Sequence, residues 1–201
     1  MRFAAAGVLF GFAVYGQAPD KSTEPFWDEV YSQNSGLFSH RPTELLRFAV
    51  KDRPPGKALD IGMGQGRNSI FLAQQGWDVT GFDPSAEGIR QAKAAARDLK
   101  LRLNALVARE EEFDLGREKW DLIVMTYVRR VNGEDAARFE RAIRPGGIFV
   151  YENNNTGAPG ELLQAFSGFR ILRFEDVDAY TDWHPEKKRR AERLIAERRA
   201  K

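Results

Sequence analysis

The stretch Gly56-Lys57-Ala58-Leu59-Asp60-Ile61-Gly62-Met63-Gly64-Gln65-Gly66-Arg67-Asn68-Ser69 decides the fold. Ala58-Leu59-Asp60-Ile61 is a short apolar run of the kind that makes a buried strand. Three glycines at alternate positions then give a sharp turn that only residues without a Cβ make freely. Residues 68–75 carry an apolar stripe (Ile70, Phe71, Ala73) at helical spacing, closed by Gly76. Strand, glycine turn and helix in this order place the turn at the carboxyl end of a strand, where open α/β sheets bind nucleotides.

Outward from this unit the pattern repeats. Residues 77–82 predict a second strand, 85–99 an alanine-rich helix, 101–108 a third strand and 120–127 a fourth. A helix follows over 134–143, a strand over 147–152, a helix over 161–166 and an alternating strand over 169–177. Strands alternating with helices mean an α/β fold, a parallel sheet covered on both faces. Upstream, residues 26–31 and 43–50 predict two helices, and 19–25, rich in turn formers and charge, a linker. Residues 191–198 fit a charged helix or a final strand pairing antiparallel with its predecessor; local pattern leaves both open.

Composition narrows the chemistry. The 201 residues, 42% hydrophobic, suffice for one sizeable domain, and a net charge of +2 makes no global case for nucleic acid. Eight Lys or Arg against three Glu between residues 184 and 201 give a basic tail, read as a solvated face or strand end. With no cysteine and only His40 and His184, no metal centre is expected. Residues 1–18 start with Met1-Arg2, continue through an apolar stretch over 3–15 and end in Gly16-Gln17-Ala18. They resemble a secretory signal or anchoring segment, although Pro19 disfavours cleavage there, and they are too short to span a bilayer comfortably. An apolar extension packed on the domain is the equal alternative, and the domain proper is expected over 26–201. Membrane contact is expected only through residues 1–18.

Two acids sharpen the turn. Asp60 stands two residues before Gly62, and Asp83 ends the second strand, where an acid accepts the hydroxyls of an adenosine ribose. A dinucleotide site, the mark of an NAD-dependent oxidoreductase, wants glycine at position 67, which is Arg67, and Asp60 would repel a pyrophosphate. S-adenosylmethionine (SAM) has no phosphate and carries an ammonium and a sulfonium, so it suits an acidic turn.

The whole stretch from Gly56 to Ser69 resembles the first motif of class I SAM-dependent methyltransferases. Its continuation through Leu72-Ala73, Gly76-Trp77-Asp78-Val79 and Asp83 is similar to the tellurite-resistance, small-molecule type. Trp120-Asp121-Leu122-Ile123-Val124, Arg144-Pro145-Gly146-Gly147, Gly160-Glu161-Leu162 and Phe174-Glu175-Asp176-Val177 continue the likeness. The resemblance implies a three-layer Rossmann-like sandwich, its seven-stranded sheet in the order 3-2-1-4-5-7-6 with the last strand antiparallel, so the C-terminal segment becomes a strand.

It also implies roles. Asp60, Gly62, Met63, Gly64 and Gly66 would line the methionine part of SAM, and Asp83 would hold the ribose. In the turn Arg109-Glu110-Glu111-Glu112-Phe113, Glu111 and Phe113 are favoured for the adenine. The Tyr127 ring would lie near the sulfonium, since an aromatic face attracts a cation. Candidate acceptor residues are Trp27, Tyr31, Phe38, His40, Arg41, Glu152, Asn153, Trp183 and His184. His40, Arg41 and Tyr127 are the catalytic candidates, with a cap for the helix at Thr43 as the plainer role for His40. The resembled type has a His-Arg pair after the Glu-Asp-Val segment, but here Thr181-Asp182 follows, which speaks against chalcogen chemistry. The expected reaction is methyl transfer from SAM to a small-molecule acceptor, releasing S-adenosylhomocysteine (SAH). The alternative is a non-catalytic SAM- or SAH-binding protein. SAM dependence favours the cytoplasm, residues 1–18 suggest export, and monomer and homodimer stay open.

Overall fold

The computed structural model describes residues 23–33, 38–154, 156–181 and 184–200, without the side chains of 23–25, 181 and 184–186. The signal-like segment 1–18, the first part of the linker, Asn155 and Trp183 lie outside the described residues. The elements in chain order are α1 (Thr23–Gln33), α2 (Glu44–Val50), β1 (Lys57–Ile61), α3 (Arg67–Gln74), β2 (Asp78–Asp83), α4 (Ala86–Asp98) and β3 (Asn104–Val107). They continue with β4 (Trp120–Thr126), α5 (Gly133–Ala142), β5 (Ile143–Asn153), α6 (Glu161–Ala165), β6 (Arg170–Thr181) and β7 (His184–Glu197).

The strands form one seven-stranded sheet in the order β3-β2-β1-β4-β5-β7-β6. β1 pairs parallel with β2 and β4, β2 with β3, and β4 with β5, while β7 runs antiparallel to both β5 and β6. This is the α/β architecture expected, with β1 and its glycine turn near the centre. Both faces are covered. Ile123, Phe149, Leu194 and Ala196 pack on one side with Phe139 of α5 and Phe166, and Val124, Val150 and Ile195 pack on the other with Leu46 of α2 and Leu72 of α3. Alternate residues of β7 thus enter opposite cores, the strand period of two.

Several boundaries differ from the sequence reading, most of all in the last hairpin, where β6 runs on to Thr181 and β7 begins at His184 instead of 191. α1 opens at Thr23, inside the stretch read as linker, because Pro25 falls in the first helical turn, where its missing N–H is tolerated. β3 shrinks to Asn104–Val107, since residues 101–103 lie beyond its register with β2. β5 begins at Ile143, which pairs with Trp120 ahead of a bulge, so Arg144-Pro145-Gly146-Gly147 lies inside the strand span.

The helix start nearest the end of β4 is firmly capped. The Asn132 side chain accepts from the backbone N–H groups of Glu134 and Asp135, and Asp135 accepts from the Asn132 N–H in return. Asn132→Ala should therefore lower stability by about 1 kcal/mol, read as a fall in the urea midpoint with an unchanged denaturant slope.

Candidate functional site: the carboxyl ends of β1, β2, β4 and β5

The β1–α3 turn needs its glycines. Gly62, Gly64 and Gly66 have φ of +66°, +52° and +83°, left-handed values that side-chain-bearing residues adopt only with strain. A Cβ on Gly62 would collide with Val128 Cγ2, and one on Gly64 would lie 2.5 Å from the Tyr31 hydroxyl. Gly66 sets α3 against α4, where a Cβ would lie 2.9 Å from that of Ala92. Gly64→Ala should cost backbone strain of about 1–2 kcal/mol and displace the buried Tyr31 hydroxyl as well, visible as a lowered melting temperature in the ligand-free protein.

Two buried carboxylates flank this turn. Asp60 is 2% exposed, and its Oδ2 accepts from the Ser69 hydroxyl on α3 at 2.7 Å. Burial pushes its carboxyl up to about 6, against the pull of the Ser69 hydrogen bond and the nearby Arg67 charge. Asp83 is 6% exposed; its Oδ2 accepts from Gly64 N at 2.9 Å and its Oδ1 from Ser85 N at 2.9 Å. Burial likewise raises it to about 6, with those two N–H groups opposing and the Asp28 charge adding. Each carboxylate is a desolvated anion at neutral pH whose present partners compensate it incompletely.

Helix α1 lies over the same turn. Asp28 Oδ1 accepts from Ser85 Oγ at 2.5 Å and from Glu87 N at 3.0 Å, which seats α1 on the N-terminus of α4, where a negative charge is favoured. Trp27, Tyr31 and Phe38 form a cluster with ring centroids 5.9 and 5.4 Å apart, and Tyr31 sits against Gly64 and Gly88. These three acceptor candidates are therefore brought together on the glycine turn.

The turn after β3 places Phe113 on Phe82, ring centroids 4.3 Å apart, beside the end of β2. Glu111 is exposed. The acid held inward is Glu110, ion-paired with Arg129, which also binds Asp135 at 2.8 Å. Burial works against the Arg129 charge, but the hydrogen bonds it donates to Asp135 and Glu110 outweigh it and hold the guanidinium above its ordinary range.

At the end of β4, Tyr127 is one of the non-glycine residues with left-handed backbone, at φ +59°. Glu152 of β5 grips it twice: its carbonyl accepts from Tyr127 N at 2.8 Å, and its Oε1 accepts from the Tyr127 hydroxyl at 2.6 Å. Arg193 of β7 lies 3.1 Å from Glu152 Oε1 and 3.4 Å from Glu175 Oε2. Strain held by surrounding structure is characteristic of functional positions. The Arg67 guanidinium stands 5.7 Å from the Tyr127 ring centroid. Asn68 links this edge to α2: its amide donates to Thr126 Oγ1 at 3.0 Å and accepts from Thr43 N at 3.1 Å.

The remaining candidates spread out. His40 and Arg41 are both exposed, and the cap of α2 is Thr43 itself, whose hydroxyl accepts from Leu46 N, so the capping role read for His40 falls to Thr43. Asn153 is buried and shares with Tyr151 the β5 face opposite Glu152. His184 begins β7, where its backbone pairs with Thr181. Sequence reasoning passed over Asp28, Ser69, Arg129 and Arg193. Ser69 lies in the quoted motif, one helical turn after the glycines; Arg193 sits in an apolar run, a charge that a buried strand keeps only with a partner.

The comparisons with known proteins agree with this geometry. Residues 58–147 match the methyltransferase domain family. The chain is 29% identical over 141 residues to the malonyl-[acyl-carrier protein] O-methyltransferase of Pseudescherichia vulneris, covering 69% of this chain and 54% of that protein. It is 34% identical over 80 residues to the probable S-adenosyl-L-methionine-dependent methyltransferase TehB of Haemophilus influenzae, covering 40% and 28%. The crystal structure of TehB from Haemophilus influenzae superposes with a TM-score of 0.67 at 20% identity, over 86% of this chain and 67% of that one. The chain spans about half the length of the relatives it matches first. Sheet order, antiparallel last strand and glycine turn are those of the methyltransferase fold, residues 58–147 match a methyltransferase domain, and the chain is similar to SAM-dependent methyltransferases.

Proposed function

We propose that this protein transfers a methyl group from SAM to a small-molecule acceptor. The observation that carries this reading is the pair of incompletely compensated carboxylates, Asp60 and Asp83, on either side of the left-handed glycine turn. A ligand with a cation and two hydroxyl donors relieves both, whereas a pyrophosphate opposes them.

When bound, SAM supplies an electrophilic methyl whose C–S bond breaks as the acceptor's new bond forms, leaving the thioether of SAH. Asp60 accepts hydrogen bonds from the methionine ammonium, and Asp83 from the ribose hydroxyls. Phe113, stacked on Phe82, gives the adenine an apolar wall. Gly62 and Gly64 allow the backbone close approach. Tyr127, fixed by Glu152 and Arg193, sets one wall where donor and acceptor align, and alignment with water excluded supplies most of such a barrier reduction. Where the acceptor must lose a proton, Glu152 is the carboxylate at that edge placed to take it, through Tyr127 or directly.

Isotope-labelled SAM incubated with a panel of thiols, halides and phenols tests the reading, with methylated product expected from at least one class. SAM binding without methyl release to any acceptor class would favour a protein that only binds SAM or SAH. Failure to bind SAM at all would overturn the reading.

A further inference from the structure

A chain of alternating charges runs from the sheet edge into the site and ends on Tyr127. Arg173 of β6 is ion-paired with Glu175, Glu175 Oε2 lies 3.4 Å from Arg193 Nη1, and Arg193 Nη2 lies 3.1 Å from Glu152 Oε1. Two cations and two anions make the chain neutral, and the Tyr127 hydroxyl closes it by donating to Glu152 Oε1 at 2.6 Å. The Glu152 side chain is only 4% exposed, and a carboxylate so deep needs a cation beside it. Arg193 is that cation. Glu152 takes Arg193 Nε, at 3.2 Å, and the phenol on the same oxygen, so Arg193 holds the carboxylate turned toward Tyr127.

The strand order reverses between β1 and β4, where open α/β sheets form a ligand crevice. Tyr127 follows β4 at that point, and the next residue, Val128, packs on Gly62 of the glycine turn. Arg193 from β7 and Arg67 from α3 face Tyr127 as cations, and Glu152 from β5 faces it as an anion. A phenol hydroxyl has one hydrogen to donate and lone pairs with which to accept. Tyr127 donates its hydrogen to Glu152, so a ligand group that hydrogen-bonds Oη must itself be the donor. A halide, a thioether or an ionised thiolate has no hydrogen to offer there.

Building on the methyl-transfer reading, we propose that the acceptor is a neutral hydroxyl or thiol that donates to Tyr127 Oη, and that Tyr127 and Glu152, held by Arg193, relay its proton. As the acceptor oxygen or sulfur bonds to the methyl carbon, the C–S electron pair passes to the donor sulfur. The acceptor proton moves to Tyr127 Oη, and the Tyr127 proton moves to Glu152 Oε1. The step ends with methylated acceptor, SAH and a protonated Glu152, which returns its proton to water when the product leaves. Tyr127 touches the acceptor; Arg193 is a positioning residue that acts through Glu152.

SAH binding, measured by itself by titration calorimetry, reports on the methyl-donor site alone. The full chain, labelled with nitrogen-15 and loaded with SAH, should then be titrated at pH 7.5 with phenol, benzyl mercaptan and anisole. Saturable shifts of the Tyr127 amide are expected with phenol and benzyl mercaptan, and anisole, which lacks the O–H, should bind at least about fivefold more weakly. No shift with either protic probe, or an equal response to anisole, overturns the proposal while leaving the SAH result intact. Labelled SAM gives a second readout, with benzyl mercaptan, protonated at pH 7.5, set against 4-nitrothiophenol, ionised there. Tyr127→Phe and Arg193→Met should slow methylation of benzyl mercaptan by about a hundredfold and that of 4-nitrothiophenol far less, with Arg193→Lys recovering part of the loss. Equal losses for the two thiols would mean that these residues act only through structure, and would overturn the relay. Should Arg193→Met not fold, Tyr127→Phe, which removes one hydroxyl, decides by the same comparison.

Discussion

Asp60→Asn should stabilise the ligand-free protein at pH 7.5 and, in the same variant, weaken SAM binding by about tenfold to a hundredfold. Burial raises the Asp60 carboxyl from 3.8 to about 6. The native state therefore binds more protons than the unfolded chain between those values. Stability contributed by this group rises as pH falls through 6 and levels off below 3.8, and the full penalty is present above 6. A shift of about two units corresponds to roughly 2–3 kcal/mol. Asparagine keeps the shape and removes the charge, so the variant should gain a melting-temperature rise at pH 7.5 that disappears near pH 4. The affinity loss has the opposite sign because a charge-assisted hydrogen bond to the ligand ammonium contributes about 1.5–3 kcal/mol. Asp83, also raised to about 6, adds to the same trend, so SAM should bind the unaltered protein more weakly below pH 6 than at 7.5. Thermal denaturation at both pH values and titration calorimetry check this; an Asp60→Asn protein that binds SAM undiminished removes Asp60 from the site.

The second large effect concerns Arg129. Its guanidinium joins Glu110 and Asp135, whose side chains are only 10% and 8% exposed. Arg129→Ala leaves two buried acids facing each other without a cation beyond Arg138, 3.5 Å from Glu110. Breaking a buried ion pair from one side costs about 3–5 kcal/mol, and the partial exposure of Arg129 places this case near 3. For a chain of this size that is a melting-temperature drop of roughly 6–12 °C. Arg129 holds the Asp135 carboxyl below its ordinary value, so this stabilisation is present at neutral pH and lost as pH falls through the native-state value. The gap between variant and unaltered protein should thus narrow in acid, and adding Asp135→Asn should restore part of the loss at pH 7.5. Glu110 shares its turn with Phe113, so SAM affinity should fall as well. A gap that stays constant with pH would mean that Arg129 acts by packing rather than by charge.

The glycine turn was legible because its physics is local: alternate glycines after an apolar run permit left-handed backbone and little else. Asp60 and Asp83 were legible for the same reason, each being an acid at the end of a buried strand. The C-terminal strand was not legible from its own residues. Glu192, Arg193, Glu197 and Arg198 make Ala191 to Arg198 a good isolated helix, and only pairing with β5 and β6 turns Leu194 and Ile195 to opposite cores. Likewise the choice between Glu110 and Glu111 depends on Arg129, nineteen residues beyond Glu110, and run composition carries no record of it. The seating of α1 through Asp28 depends on a helix N-terminus 57 residues away from it in the chain.

A crystal structure with SAH would show whether the β1–α3 turn, Asp60 and Asp83 hold the methyl donor. The ribose hydroxyls are expected on Asp83, the methionine ammonium within hydrogen-bonding reach of Asp60, the adenine beside Phe113 and the sulfur facing Tyr127. SAH bound away from the β1–α3 turn, or seated there with neither Asp60 nor Asp83 in contact, would contradict it.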